Sequence, residues 1–108
     1  MTLHYERDGA AIYRESFATI RREADLARFD ADLEPVVVRI IHACGDIAIT
    51  DAVDASADFA PAARQALAAG ATIWCDSNMV AHGITRARLP ADNQVACTLR
   101  DPGIAEAA

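Results

Sequence analysis

The chain has 108 residues, which is within the size of one domain, so we predict a single domain over residues 1–108. Apolar residues make up 53% and charged residues 24%, a composition that excludes a disordered chain. Sixteen acidic side chains against ten basic ones give a net charge of −6, which argues against nucleic-acid binding because phosphate neutralisation needs clustered cations. Three cysteines without CxxC spacing indicate reduced thiols, and no apolar run approaches the roughly 20 residues of a membrane span. We therefore expect a cytoplasmic protein that contacts neither nucleic acid nor membrane.

The first predicted element is an amphipathic helix that begins near Asp8 and continues to about Ala24. The carboxylate of Asp8 can cap the first backbone N–H groups. The apolar positions follow the spacing of one helical face: Tyr13, Phe17, Ile20 and Ala24. Ser16 lies on this apolar face, where most sequences would place a hydrophobic residue. Considered alone, its hydroxyl would bond to the carbonyl one turn earlier.

A second helix is predicted after the polar link Arg28–Asp32, from Pro35 to the glycine at position 45. Proline suits a first helical turn and glycine suits a helix C-terminus. The β-branched run Val36–Val38 favours a strand instead, but a proline would fit poorly in a central strand. We therefore predict a helix whose buried face carries Val37, Ile41 and Cys44.

His42 falls in the last turn of this second helix. The carbonyl end of a helix favours a cation, and so favours an imidazolium that can serve as an acid. The structural alternative is a core histidine whose ring is hydrogen-bonded to the backbone. The helix pattern alone leaves both interpretations open.

The remaining elements follow an α/β order. The pattern predicts a helix over 58–70 with its buried side at Phe59, Ala63, Ala66 and Leu67, a strand over 72–75, a helix from Asp76 or Ser77 through His82, a loop to Asp92, a strand over 94–99, and a final helical turn over 104–108. A helix, a tight glycine turn and a buried strand indicate a parallel sheet flanked by helices. Because two parallel strands are marginal in water, we expect this chain to hold only part of a larger α/β fold.

Three arginines reverse the local charge of an otherwise acidic chain: Arg86, Arg88 and Arg100. Guanidinium groups bind carboxylates through paired planar hydrogen bonds, so this region is a candidate anion site, with the hydroxyl of Thr85 as a further donor. The alternative is a solvated loop in which the arginines have structural roles.

A metal site and a cysteine nucleophile are both weaker interpretations of the sequence. The possible soft and imidazole ligands show no recognised zinc spacing: His42, Cys44, Cys75, His82 and Cys97. On one helix, His42 and Cys44 point about 200° apart, so they do not form a Cys/His pair. We expect neither a metal nor another cofactor.

Across nearly its whole length the sequence resembles the precorrin-8X methylmutase family. The resemblance is carried by Arg7-Asp8-Gly9, Ile12-Tyr13, Ser16-Phe17, Arg39, His42-Ala43-Cys44-Gly45, Asp58-Phe59, Cys75-Asp76, Met79–Pro90 and Cys97–Pro102. It implies an isomerase of cobalamin biosynthesis that moves a methyl group from C11 to C12 of precorrin-8X to give hydrogenobyrinate, or of cobalt-precorrin-8 to give cobyrinate.

The same resemblance assigns roles to particular residues. The family's catalytic histidine falls on His42 and its substrate-contacting serine on Ser16, whereas Thr85, Arg86, Arg88 and Arg100 are substrate-binding candidates by their chemistry alone. It also implies a tetrapyrrole substrate, a corrinoid product and a homodimer. Family members are about twice as long as this chain, so the C-terminal half of the fold would come from further polypeptide or from a partner. The alternative function is a non-catalytic corrinoid-binding or assembly module.

Overall fold

The computed structural model describes residues 8–107, so Arg7 of the family pattern and Ala108 of the predicted final turn lie outside the described residues. Contacts within the chain cluster into two compact units, one ending at Ala60 and the other beginning at Pro61. The single domain over residues 1–108 stays a prediction. No helix in the described range is long and apolar enough to cross a membrane.

The first unit opens with helix α1, Gly9–Glu23, as the periodicity predicts. The Asp8 carboxylate accepts a hydrogen bond from the backbone N–H of Ala10 at 3.1 Å, which confirms its capping role. At the other end, the N–H of Ala24 donates to the carbonyl of Ile20 at 2.8 Å. Of the helix's described side chains, Ile20 is the buried one.

The second segment is helical, and the strand alternative is wrong. Helix α2, Glu34–Cys44, carries proline in its first turn and ends at Gly45, whose φ of 70° places it in the left-handed region. Its buried positions follow helical spacing, with exposed fractions of 0% at Val37, 1% at Val38 and 2% at Ile41. Burial of these β-branched side chains against α1 therefore outweighs their intrinsic preference for strands.

Cys44 corrects the prediction for the buried face of α2, because it is exposed. Its thiol lies 3.8 Å from the carbonyl oxygen of Ile41 and 3.7 Å from that of Asp46, at the point where the chain turns. The last residue of the helix therefore faces the helix end instead of the core.

The first core is centred on α1 and α2. Its buried members are Ile20, Val37, Val38 and Ile41, and the partly buried side chains around them are Phe17, Ala24, Leu26, Phe29, Leu33, Ile49 and Val53. A 3-10 helix, Ile47–Ala52, follows and is capped by Asp46. The guanidinium of Arg28 donates to the carbonyl oxygens of Thr50 and Val53. These hydrogen bonds connect the segment before α2 to the C-terminal end of the 3-10 helix.

The second unit combines short helices with a small parallel sheet, and the predicted α/β class is confirmed. Its elements, with the helix that leads into it, are α3 Phe59–Ala68, β1 Ile73–Trp74, α4 Asn78–Gly83, a 3-10 helix Arg86–Arg88, β2 Val95–Ala96 and α5 Ile104–Ala107. The two strands are parallel, with Ile73 opposite Val95 and Trp74 opposite Ala96. Ser77 caps α4 by accepting from the N–H of Val80 at 3.3 Å.

Two details of this unit correct the sequence prediction. Both strands are two residues long, shorter than the predicted 72–75 and 94–99, because the parallel pairing extends over two residue pairs, Ile73 with Val95 and Trp74 with Ala96. On α3 the buried residue is Ala60, at 9% exposure, whereas Phe59 is 46% exposed. Phe59 is the first residue of the helix, and burial begins only at the next residue.

Asn93 joins the end of α3 to the segment that leads into β2. Its side-chain amide donates to the carbonyl oxygens of Leu67 at 2.9 Å and Ala71 at 2.8 Å, and its Oδ1 accepts from the N–H of Ala91 at 3.1 Å. The residue is 6% exposed. One buried amide therefore donates to a carbonyl in the last turn of α3, which also accepts from the N–H of Gly70 at 3.1 Å, and to a carbonyl just beyond the helix.

Candidate active site

The packing of α1 on α2 brings Ser16 and His42 together at the edge of the first core. Ser16 lies one helical turn before buried Ile20, and His42 directly follows buried Ile41. The Oγ atom of Ser16 is 2.9 Å from Nδ1 of His42, although the two residues are 26 positions apart. The hydrophobic contacts of the two helices thus bring a hydroxyl and an imidazole within hydrogen-bonding distance.

Two aromatic rings of α1 stand beside the imidazole of His42. The ring of Tyr13 has its centroid 5.2 Å away at a tilt of 50°, and the ring of Phe17 lies 5.3 Å away, edge-on at 83°. Tyr13 and Phe17 are themselves 5.8 Å apart. These distances are within the range of favourable aromatic contacts, so the imidazole has defined neighbours as well as a hydrogen bond.

His42 is exposed, and neither structural alternative for the pair matches the structure. The ring is at the surface instead of in the core, and its bond is to a side chain instead of the backbone. Likewise, the hydroxyl of Ser16 points to the imidazole and does not bond to the carbonyl one turn earlier. An accessible, oriented imidazole is the arrangement that proton transfer to a bound molecule requires.

Arg39 adds a positive charge to the edge of this cluster. Its guanidinium carbon lies 5.2 Å from the centroid of the Phe17 ring, within the range of a cation–π contact. Arg39 is one helical turn before His42 on α2. The cluster therefore combines an imidazole, a hydroxyl, two rings and a guanidinium from two helices.

The other candidate residues belong to the second unit. Thr85 precedes the 3-10 helix that contains Arg86 and Arg88. Nη1 of Arg86 donates to the carbonyl oxygen of Ala81 and, at 3.0 Å, to that of Ile84. These hydrogen bonds stabilise the C-terminal end of α4. At its Nη1 atom, Arg86 therefore has the structural role that was the alternative to anion binding.

Arg88 and Arg100 are exposed, and Arg100 lies in the turn after β2. No hydrogen bond or ion pair joins either guanidinium to a neighbour within residues 8–107. Thr85 is exposed and its side chain does not cap the 3-10 helix. These three side chains present donors at the surface of the second unit.

Sequence reasoning singled out Ser16 and His42 but missed the role of their neighbours. The sequence places Tyr13 and Phe17 on the apolar face of the first helix; in the structure Tyr13 is 53% exposed and both rings contact the histidine. Their signal in the sequence is that they lie four residues apart on that face, with Ser16 three residues after Tyr13. Arg39 is among the residues that carry the family resemblance, but no local pattern distinguishes it, because a surface arginine in a helix is ordinary.

The possible metal ligands are not assembled in the structure. Among residues 8–107, no three His, Cys, Asp or Glu side chains come together in a group that could hold a metal ion. The three cysteines are unpaired thiols. The thiol of Cys44 faces backbone carbonyls, in agreement with its predicted separation from His42.

Comparison with known proteins identifies the family. The CbiC (precorrin-8X methylmutase) family model matches residues 11–108. The chain is 59% identical over 98 residues to a precorrin-8X methylmutase of Sinorhizobium sp, covering 91% of this chain and 47% of that protein. It is 56% identical over 102 residues to a precorrin-8X methylmutase of Pseudomonas aeruginosa, covering 94% of this chain and 49% of that protein. The chain spans about half the length of the curated relatives that it matches, and it belongs to the precorrin-8X methylmutase family.

Proposed function

We propose that this chain supplies the histidine-bearing half of a precorrin-8X methylmutase. The reaction is the intramolecular transfer of a methyl group from C11 to C12 of precorrin-8X to give hydrogenobyrinate, or of cobalt-precorrin-8 to give cobyrinate. The observation that carries the proposal is the exposed imidazole of His42, bonded to Ser16 and flanked by two rings. Family membership supplies the reaction class, and this cluster supplies a group suited to it.

The chemistry of a methyl shift explains why a single imidazole is sufficient. A 1,5-sigmatropic shift needs no nucleophile; it needs the conjugated ring held in one shape and one tautomer. His42 donates a proton to an atom of the macrocycle, and the methyl group migrates from C11 to C12. The proton then returns to the imidazole. No resident metal or redox cofactor has a part in this proposal.

Peripheral carboxylates of the tetrapyrrole need cationic and neutral donors. The candidates are Thr85, Arg86, Arg88 and Arg100 in the second unit. Ser16 in the first unit is a separate candidate for substrate contact. The surface position of Arg88 and Arg100 supports this role, because a guanidinium without a protein acceptor can take a ligand carboxylate. We further propose a cytoplasmic protein, in line with its three unpaired thiols, and a homodimer, which the family resemblance implies.

Replacement of His42 tests the proposal in a protein of the relatives' length. His42→Ala should lower the rate of methyl transfer about 100- to 10,000-fold, the usual worth of a general acid, with binding largely retained. His82→Ala is the matched control, because His82 is an exposed residue in the last turn of α4 and should affect affinity or packing more than chemistry. Conversion of precorrin-8X at near wild-type rate by His42→Ala would refute the acid role.

The alternative, a non-catalytic corrinoid-binding or assembly module, predicts a different result. Such a module would bind corrinoid, which a visible absorbance titration would detect. It would show no methyl transfer in either the wild-type protein or its variants. The same set of proteins therefore separates the two functions.

A further inference from the structure

The hydrogen bond between Ser16 and His42 carries information about which imidazole nitrogen holds the proton. A neutral imidazole has one N–H donor and one bare nitrogen acceptor, and the bond partner of one nitrogen decides the state of the other. In this protein the bonded nitrogen is Nδ1, at 2.9 Å from the hydroxyl oxygen. Either the hydroxyl donates to Nδ1, or Nδ1–H donates to the hydroxyl.

The surroundings of Ser16 favour the first arrangement. If Nδ1–H were the donor, the hydroxyl proton of Ser16 would need another acceptor, and the usual one in a helix is the carbonyl one turn earlier. Thr19 on the same helix makes that bond, to the carbonyl oxygen of Glu15 at 3.0 Å. Ser16 does not, and its bond to His42 is the one its side chain makes within the described residues. With the hydroxyl as donor, its proton is satisfied.

We infer that Ser16 is a positioning residue for His42: its hydroxyl donates to Nδ1, which assigns the proton of the neutral imidazole to Nε2. Nε2 is then the N–H that His42 presents to a bound molecule. The hydroxyl also suits the imidazolium, because it can rotate to accept a hydrogen bond from Nδ1–H once both nitrogens are protonated. The serine therefore holds the ring in one orientation in both protonation states.

Ser16 thus acts through the histidine and not as a contact of the macrocycle alone. The identity of the bound molecule rests on the proposed function, whereas the assignment of the proton rests on the hydrogen bond. The rings of Tyr13 and Phe17 pack beside the imidazole and define its plane, and the hydrogen bond to Ser16 then selects which ring nitrogen faces the hydroxyl.

Nitrogen NMR of the imidazole-labelled 108-residue chain tests the assignment directly. At a pH where the ring is neutral, His42 should show a protonated Nε2 and a bare, hydrogen-bonded Nδ1. Ser16→Ala should move the His42 signals toward a mixture of both tautomers, and Ser16→Thr, which keeps the hydroxyl, should restore the wild-type pattern. A wild-type ring protonated on Nδ1, or an unchanged tautomer in Ser16→Ala, would overturn the inference.

Thr19→Ala is the matched control, since it removes a hydroxyl from the same helix that does not touch the histidine. It should leave the His42 signals unchanged, and the signals of His82 should stay constant in all variants. If Ser16→Ala fails to fold, the wild-type spectrum and the Ser16→Thr variant still decide between the two arrangements.

A kinetic measurement in a protein of the relatives' length separates positioning from substrate contact. Ser16→Ala should lower kcat about 3- to 10-fold with little change in KM, the range expected for one lost hydrogen bond. A raised KM with unchanged kcat would show that the serine acts on the substrate and would overturn the positioning role. Absence of methyl transfer in the wild-type protein would refute the proposed function instead, and the NMR result would still decide the proton assignment.

Discussion

The arginines of the second unit differ in how much of each guanidinium the fold already uses. Arg86 donates from Nη1 to two carbonyls at the end of α4, whereas Arg88 makes no such bond within the described part of the chain. Helix ends leave carbonyls that need donors, so Arg86 stabilises α4 whether or not a ligand is bound. The two neighbouring arginines can therefore be separated by experiment.

Arg88→Ala should weaken the binding of a tetrapyrrole polycarboxylate by about 1 to 3 kcal/mol while leaving the midpoint of unfolding unchanged, because it removes only a ligand donor. Arg86→Ala should lower the free energy of unfolding by about 1 kcal/mol through the carbonyls that it leaves unpaired. Visible absorbance titration and chemical denaturation give the two quantities. Equal corrinoid affinity of Arg88→Ala and wild type would remove this residue from the proposed site.

At the residue scale, the sequence predicts which residues are candidates better than it predicts which residues touch. Local spacing places His42 at a helix end and Ser16 on an apolar face, and the family resemblance makes both of them site candidates. Their bond could not be predicted, because it joins residues 26 positions apart and depends on how α1 and α2 align. Periodicity defines the buried face of each helix but not which residues face each other across the contact.

Gly45 determines the geometry of the helix end that carries His42. Its φ of 70° lies in the left-handed region, and its N–H donates to the carbonyl of Ile41 at 2.7 Å. A Cβ added here would meet no atom within 4 Å, so any cost of a side chain comes from the backbone conformation and not from a clash.

Gly45→Ala should therefore lower the free energy of unfolding by about 1 to 2 kcal/mol, the cost of a non-glycine residue in the left-handed region. Gly83→Ala at the end of α4 is the matched control, because Gly83 also has open space around its Cβ position but no positive φ. It should be neutral or slightly stabilising. Chemical denaturation of both variants gives the comparison, and equal stabilities would contradict the role of the left-handed conformation.

Asn93 offers a test of how the second unit is held together. Asn93→Asp keeps the size of the side chain but replaces the two-proton donor with acceptor oxygens that face the carbonyls of Leu67 and Ala71. Both carbonyls lose the amide donor and the buried side chain gains a charge that faces them, so we expect a loss of about 1 to 3 kcal/mol in the free energy of unfolding. Asn78→Asp, in the first turn of α4, is the control and should change stability little. Unaltered stability of Asn93→Asp would show that water replaces the amide.

At the element scale, helices were predicted more accurately than strands for a physical reason. The caps of α1, α2 and α4 depend on residues within a few positions, such as Asp8, Gly45 and Ser77. Strand length depends on a neighbour distant in sequence, and pairing here stops after Trp74 and Ala96. The predicted strands are therefore too long, whereas the helix ends agree within one or two residues.

At the scale of the whole molecule, the second unit leaves large apolar side chains uncovered. Trp74 is 69% exposed, Met79 83% and Leu99 54%. Trp74 lies on a two-stranded parallel sheet, an arrangement that is usually buried on both faces. The curated relatives have about as much sequence again beyond the matched region. We expect that additional polypeptide, or a second copy of this chain, to cover the sheet.

The chain by itself should therefore self-associate as its concentration rises, because open strand edges present unpaired N–H and C=O groups. Trp74 is the one tryptophan in the sequence, so intrinsic fluorescence shows whether the side chain on β1 is exposed to solvent or buried by another polypeptide. Its emission should shift to shorter wavelength on association, or on addition of a polypeptide that corresponds to the second half of the relatives. Sedimentation over a range of concentrations provides the independent measurement. A compact monomer at every concentration, with cooperative unfolding and solvent-exposed Trp74 emission, would mean that two strands are stable without further cover.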